Sequence, residues 1–277
     1  MSNASRYWAH WRTTELAQAR SSGHLQQTVV VLPLGATEQH GPHLPLQVDS
    51  AIADAVVAAA VARLDASVSA LFLPTQYVGY SPEHAAFAGT LTLKAETVIR
   101  LWTDIAESVA ASGVRRLVLF NTHGGHVGLM DVVARDLRQR LGLMVYSVNW
   151  FNLPLQGPDG ADLQGLFDAR EHRFGIHAGA IETSMMLAVA PEQVDMAQAR
   201  DFASSAEWRA QHCPIVGNGR SAKLAWQMQD YNPAGAVGNA ASARADTGRL
   251  LIDATGRALA QLLAEVHALP ADTVRTA

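Results

Sequence analysis

Cysteine is almost absent from the chain: Cys213 is the only one in 277 residues, so no internal disulfide can form and a stapled secreted scaffold is excluded. Charge is sparse too, at 17% of residues, and neither Lys nor Arg forms a run. With a net charge of -4 there is no basic footprint for a nucleic-acid backbone or an anionic membrane. Long apolar runs are missing as well. The most apolar windows, such as 51–64, are broken by Asp54 and Arg63 and fall short of the roughly 20 residues that a membrane helix needs. Arg6, His10, Arg12 and Glu15 stand where a signal peptide would need an apolar stretch, which predicts a soluble, cytoplasmic protein. There is no internal repeat, low-complexity tract or interdomain linker.

Apolar residues are plentiful, at 49% of the chain, enough for a sizeable core in one domain spanning 1–277. Four short runs rich in β-branched residues, 28–34, 71–74, 114–120 and 143–148, read as buried strands. Between them, 50–64, 92–112 and 127–141 have helical length and amphipathic pattern, and Gly113 and Gly142 follow the last two where helix C-termini would place them. Further helices are expected at 178–189, stopped by Pro191, and at 250–266. Strand–helix alternation requires crossovers between parallel neighbours, so the expected fold is a three-layer α/β/α sandwich with a mostly parallel sheet. Segment 195–248, with its Gly and Pro residues and weak strand signals, reads as an irregular excursion serving as a lid or a subunit contact.

In open parallel sheets, ligands bind beyond the carboxyl ends of the strands. The stretch after the first predicted strand holds Glu38, His40, His43 and Asp49; the second is followed by Ser81, Glu83 and His84, the third by His123, Gly124, Gly125 and His126, and the fourth by Trp150. Glu38 and His40 lie two apart, so an extended backbone sends both side chains to one side. Carboxylate and imidazole together suit zinc or manganese, with iron a third option, and one bridging carboxylate would allow two ions. Asp49 is the candidate bridge, although just ahead of a helix opening at Ser50 it could also act only as an N-cap. Glu182, in the next helix, is a candidate ligand for a second ion or a candidate catalytic residue, although it could also be only a first-turn acid favoured by the helix dipole. His177, five residues earlier, can share the site only if it precedes the first turn, and is the candidate proton carrier. Ser81, His84, Gly124, Gly125 and Trp150 are the candidate substrate contacts, with the glycines' N–H groups as oxyanion donors. His43, Glu83 and His126 read as supporting residues, and His10, His24, His172, His212 and His267 as uninvolved.

These motifs, Glu38-Gln-His40-Gly-Pro-His-Leu-Pro-Leu with Asp49, Ser81-Pro-Glu-His84 with Phe87-Ala-Gly89-Thr90, Asn121-Thr-His123-Gly-Gly, and His177-Ala-Gly-Ala-Ile-Glu182-Thr-Ser, together resemble the creatininase family over about residues 28–190. The resemblance implies a three-layer fold and a divalent metal centre, often of two ions, held by Glu38, His40, Asp49 and His123. It also implies hydrolysis of amide, formamide or lactam bonds in a small molecule, and a ring-like homo-oligomer, frequently a hexamer. One departure stands out. Creatinine-hydrolysing relatives are expected to carry Glu two residues after the third-motif His, where this chain has Gly125. That makes creatinine itself a poor candidate and moves the fifth ligand to Glu182; the Gly-Gly form looks more like relatives that deformylate or trim peptide-derived substrates. The same centre could open an ester or lactone. The rival from another class, a metal-free phosphate-binding loop at 121–128, lacks the Lys and Ser/Thr that such loops use.

Overall fold

The computed structural model describes residues 5–275. Four strands, β1 (Val29–Leu34), β2 (Ala70–Phe72), β3 (Arg116–Asn121) and β4 (Met144–Asn149), form one parallel sheet in the order β2-β1-β3-β4. The period-2 alternation of side chains splits the strands between two cores. Val29, Val31, Phe72, Val118 and Phe120 face one layer, while Val30, Leu32, Leu71, Leu117 and Leu119 face the other. The first layer is built by helices α1 (Val48–Val61), α4 (Ala180–Val189) and α5 (Ala245–Ala268); the second by α2 (Ala95–Ala111) and α3 (Val127–Leu141). The expected three-layer α/β/α sandwich is thus the observed one. Pro33 is tolerated in a central strand because its carbonyl accepts from Gln76 N on the β2 side, so the donor it lacks falls beyond Phe72, where the β2 ladder has ended.

Strand bounds agree with the expected ones to within two residues, and the helix starts carry the larger differences. Helix α2 begins at Ala95 rather than 92 because Thr92 Oγ1 accepts from Ser81 N and Leu93 N donates to Gly79 O, pinning those residues to a loop. Helix α5 begins at Ala245, five residues early, and contains Gly248. A Cβ at that glycine would sit 1.8 Å from Ser184 O, and one at Gly256 would sit 2.5 Å from Ala59 Cβ. Gly248 therefore marks a close helix crossing, not a helix end. Within the excursion, helix Ser205–His212 and a two-stranded antiparallel ladder, β5 (Asp201–Phe202) with β6 (Gly238–Asn239), supply order that the sequence pattern did not announce. No helix among the described residues is long and apolar enough to cross a membrane.

Candidate metal centre

Register places the site. Leu34 pairs with Asn121 and Asn121 with Asn149, so β1, β3 and β4 end level and their following loops share one rim. Helix α1 opens at that rim two residues earlier than expected, which puts Asp49 inside its first turn; Gln47 is the N-cap and makes no side-chain cap bond, so Asp49 is not the cap. Helix α4 opens there too, with Glu182 in its first turn, and both carboxylates gain from the helix N-terminal dipoles. His177 does precede that first turn. Ala178 next to it takes φ 55°, and its N–H donates to Glu182 Oε2 at 2.5 Å, tying the two candidates into one bend.

The predicted ligands converge. His123 Nδ1 lies 3.2 Å from Glu38 Oε1 and 3.5 Å from Asp49 Oδ2, and His40 Nε2 lies 3.9 Å from Asp49 Oδ2. Glu38, Asp49 and His123 offer atoms within 4.8 Å of one another, and so do His40, Asp49 and Glu182; Asp49 is common to both groups. Glu38, His40 and His177 form a third such group, with His177 Nδ1 3.9 Å from Glu38 Oε1.

Backbone carbonyls fix the imidazole tautomers, because a carbonyl can only accept. His40 Nδ1 donates to Glu38 O at 3.0 Å, His123 Nε2 to Tyr80 O at 3.0 Å, and His177 Nε2 to Gln39 O at 2.8 Å. His40 and His177 are left with a bare nitrogen turned towards the carboxylates, and His123 turns Nδ1 to them. Lone pairs facing anions in a buried site repel unless a cation lies between them, and holding the far N–H in this way is how metal-ligating histidines are oriented. His84 differs: its Nδ1 accepts from the Gln39 amide at 2.7 Å, so its Nε2–H is the group 3.2 Å from Glu38 Oε1.

The electrostatics agree. Both oxygens of Glu38, Asp49 Oδ2 and His40 Nε2 are buried with no hydrogen-bond partner, a state that is rare unless an ion or water supplies the missing contacts. Burial, with Glu38 adding to it, pushes the Asp49 carboxyl up to about 6, and burial together with Asp49 pushes Glu182 up to about 8. Burial pulls His177 down to about 4, and burial with the neighbouring His177 pulls His40 well below the ordinary imidazole range. His123 goes the other way: burial disfavours its charge, yet Glu38 and Asp49 hold it well above the ordinary value. A proton there stands where a cation would. Carboxylates and imidazoles with no thiolate suit zinc, manganese or iron, so the residues fit a divalent ion.

A cleft of about 630 Å³ opens onto this cluster, and the deep end includes Glu38, Asp49, His123, His177 and Glu182. Among the expected substrate contacts, His84, Gly124, Gly125 and Trp150 line it. Ser81 does not; it is fully buried, with Oγ 3.4 Å from His123 Nε2, behind the ring. His43 and His126 are buried and bonded to Thr183 and Asn121, as supporting residues would be. His172, read as uninvolved, lines the cleft, as do Glu83 and a wall that includes Phe151, Phe167, Ile176 and Trp226. Two contributors carried no sequence signal. Gln39, of opposite parity to Glu38 and His40, links His84 to the cluster. Glu171 accepts from Ala180 N at 2.6 Å and Asn239 N at 2.8 Å, joining the start of α4 to the excursion.

An α/β sandwich with an acid–imidazole cluster at the carboxyl rim of its sheet defines a protein built to offer metal-type ligands at one edge. The chain belongs to the creatininase family: the family model described as creatinine amidohydrolase matches residues 9–263. It is 37% identical over 188 residues to the mycofactocin precursor peptide peptidase of Mycobacterium tuberculosis, covering 65% of this chain and 66% of that one, just under two thirds of the relative's length. The creatinine amidohydrolase of Pseudomonas putida is 33% identical over 178 residues, covering 61% of this chain and 66% of that one. A crystal structure of creatinine amidohydrolase superposes with a TM-score of 0.75 at 25% identity, over 97% of this chain and 100% of the other.

Proposed function

We propose that this enzyme uses one or two divalent cations, zinc or manganese, to hydrolyse a carbon–nitrogen bond in a small amide, formamide, lactam or peptide-derived substrate. The observation carrying this reading is the set of buried, unpartnered atoms, Glu38 Oε1 and Oε2, Asp49 Oδ2 and His40 Nε2, facing one another at the cleft floor. Glu38, Asp49 and His123 would hold one ion, and His40, Asp49 and Glu182 the other. Such a cation lowers the pKa of water towards about 7 and polarises a carbonyl. Neutral His177, with Nδ1 bare, would take a proton and pass it to the departing nitrogen, a strong acid once protonated because burial disfavours its charge. Gly124 and Gly125 present backbone to the scissile carbonyl, and the Trp150 and Trp226 side of the cleft excludes water.

Gly125, where creatinine-hydrolysing relatives are expected to carry Glu, supports peptide-derived amides over creatinine. A phosphate-binding module is disfavoured because Glu38, Asp49, Glu83, Glu171 and Glu182 all line the cleft and would repel the anion. Homo-oligomerisation belongs to the same proposal, and sedimentation velocity tests it. The decisive experiment is elemental analysis of the purified protein, followed by chelation, readdition of zinc or manganese, and turnover of a panel of formamides, lactams, dipeptides and esters. Turnover lost on chelation and restored by the ion is expected. Protein that neither retains nor takes up either ion would end the proposal, and a panel in which only esters react would move it to an esterase.

A further inference from the structure

Gly125 is bare for a steric reason. A Cβ there would lie 2.3 Å from Glu83 Oε1 and 2.4 Å from His123 Nε2, closer than any real contact, so no side chain fits while both neighbours keep their places. The carboxylate filling that space comes from a different loop, the turn Pro82–His84 that follows β2. Its side chain is 12% exposed, and its Oε1 lies 3.5 Å from His123 Nε2. The same Nε2 donates to Tyr80 O, so His123 has this nitrogen beside a carbonyl and a carboxylate and its Nδ1, the one a cation would take, towards Glu38 and Asp49.

We propose that Glu83 is the positioning residue for His123, and that Gly125 is its complement, left without a side chain so that a carboxylate from the 81–84 loop can reach the back of the ring. The inference rests on the metal-dependent reading above. Tyr80 O holds the ring through its hydrogen bond, and negative charge beside the Nε2 proton makes the opposite nitrogen a better electron donor; loss of an outer partner of this kind weakens metal affinity by about 10–100-fold. A Cβ at 125 would also lie 2.7 Å from Tyr80 O, so the missing side chain leaves room behind the ring for the carbonyl and the carboxylate together.

Zinc affinity measured by competition with a chromophoric chelator tests this on the full chain, with Glu83→Gln, which keeps the shape and removes the charge, and Gly125→Ala. Glu83→Gln should bind zinc about 10–100-fold more weakly than wild type, with an unchanged melting temperature for the metal-free protein and a displaced nitrogen shift for the His123 ring. Gly125→Ala, whose methyl group would meet His123 and Tyr80 O as well as Glu83, should weaken zinc binding further than Glu83→Gln does. Wild-type affinity in Glu83→Gln would overturn the proposal, as would an affinity loss matched by an equal loss of stability in the metal-free protein, which marks a merely structural residue. A wild-type chain that binds neither zinc nor manganese would overturn the metal-dependent reading and this proposal with it, an outcome distinct from the other two.

Discussion

Asp49→Asn should do two opposite things, stabilising the metal-free protein and abolishing its response to metal. The carboxyl is 2% exposed and its pKa is raised from 3.8 to about 6. At roughly 1.4 kcal/mol per pKa unit, holding it charged in the native state costs about 3 kcal/mol. The sign follows from linkage. A carboxyl that binds its proton more tightly folded than unfolded penalises the native state above its folded pKa, and the penalty fades as pH falls from about 6 towards 4. Asparagine does not titrate, so at pH 8 the metal-free variant should melt about 6–12 °C above metal-free wild type, using about 2–4 °C per kcal/mol for a chain of this size. Zinc at about 100 times its dissociation constant should add about 2.7 kcal/mol to wild type and much less to the variant, which lacks the residue common to both ligand groups. Differential scanning calorimetry at pH 5 and pH 8, with and without zinc, reads all of this. A variant less stable than wild type without metal, with no pH dependence and an undiminished zinc response, would refute the reasoning.

Metal binding should release protons and tighten as pH rises from 6 to 8, because Asp49 and Glu182, raised to about 6 and about 8, must lose theirs first; calorimetric titration in buffers of different ionisation heat counts the protons, and a pH-independent affinity would contradict it. Gly248→Ala forces a methyl group against Ser184 O and should destabilise the fold by about 1–3 kcal/mol or more, while the remaining folded protein binds zinc normally; an unshifted urea midpoint would count against the close crossing. Trp226→Ala, at the outer cleft wall with its ring edge-on to His84 at 6.2 Å, should raise KM several-fold with little change in zinc affinity. Unchanged KM across the amide panel would remove Trp226 from the substrate wall.

The fold was legible because the strands alternate and the crossover helices are amphipathic: Val98, Trp102, Ala106 and Val109 repeat at helical spacing and are all buried. Four ligand candidates, Glu38, His40, Asp49 and His123, could be read from their position after strands, since a parallel sheet brings strand ends to one rim. Contacts made by shape rather than pattern were not legible. Ser81 looked like a rim residue, but Thr92 pulls its backbone inward and its hydroxyl turns behind His123. Glu83 counts in the cleft only because Gly125 is empty, and Glu171 only because Asn239, 68 residues on, returns to it. The start of α5 was hidden by Gly248, a residue that ends helices by propensity and here permits a crossing.

Every atom poised to grip a cation arises from loops and first helical turns at the sheet rim or from the bend before α4, whereas the outer wall draws on Phe151, Leu155, Phe167, Lys223 and Trp226, from stretches that hold none of them. Reactivity and selectivity are thus written in separable parts of the chain. Substitutions in the second set could retune which compound is accepted without disturbing the first.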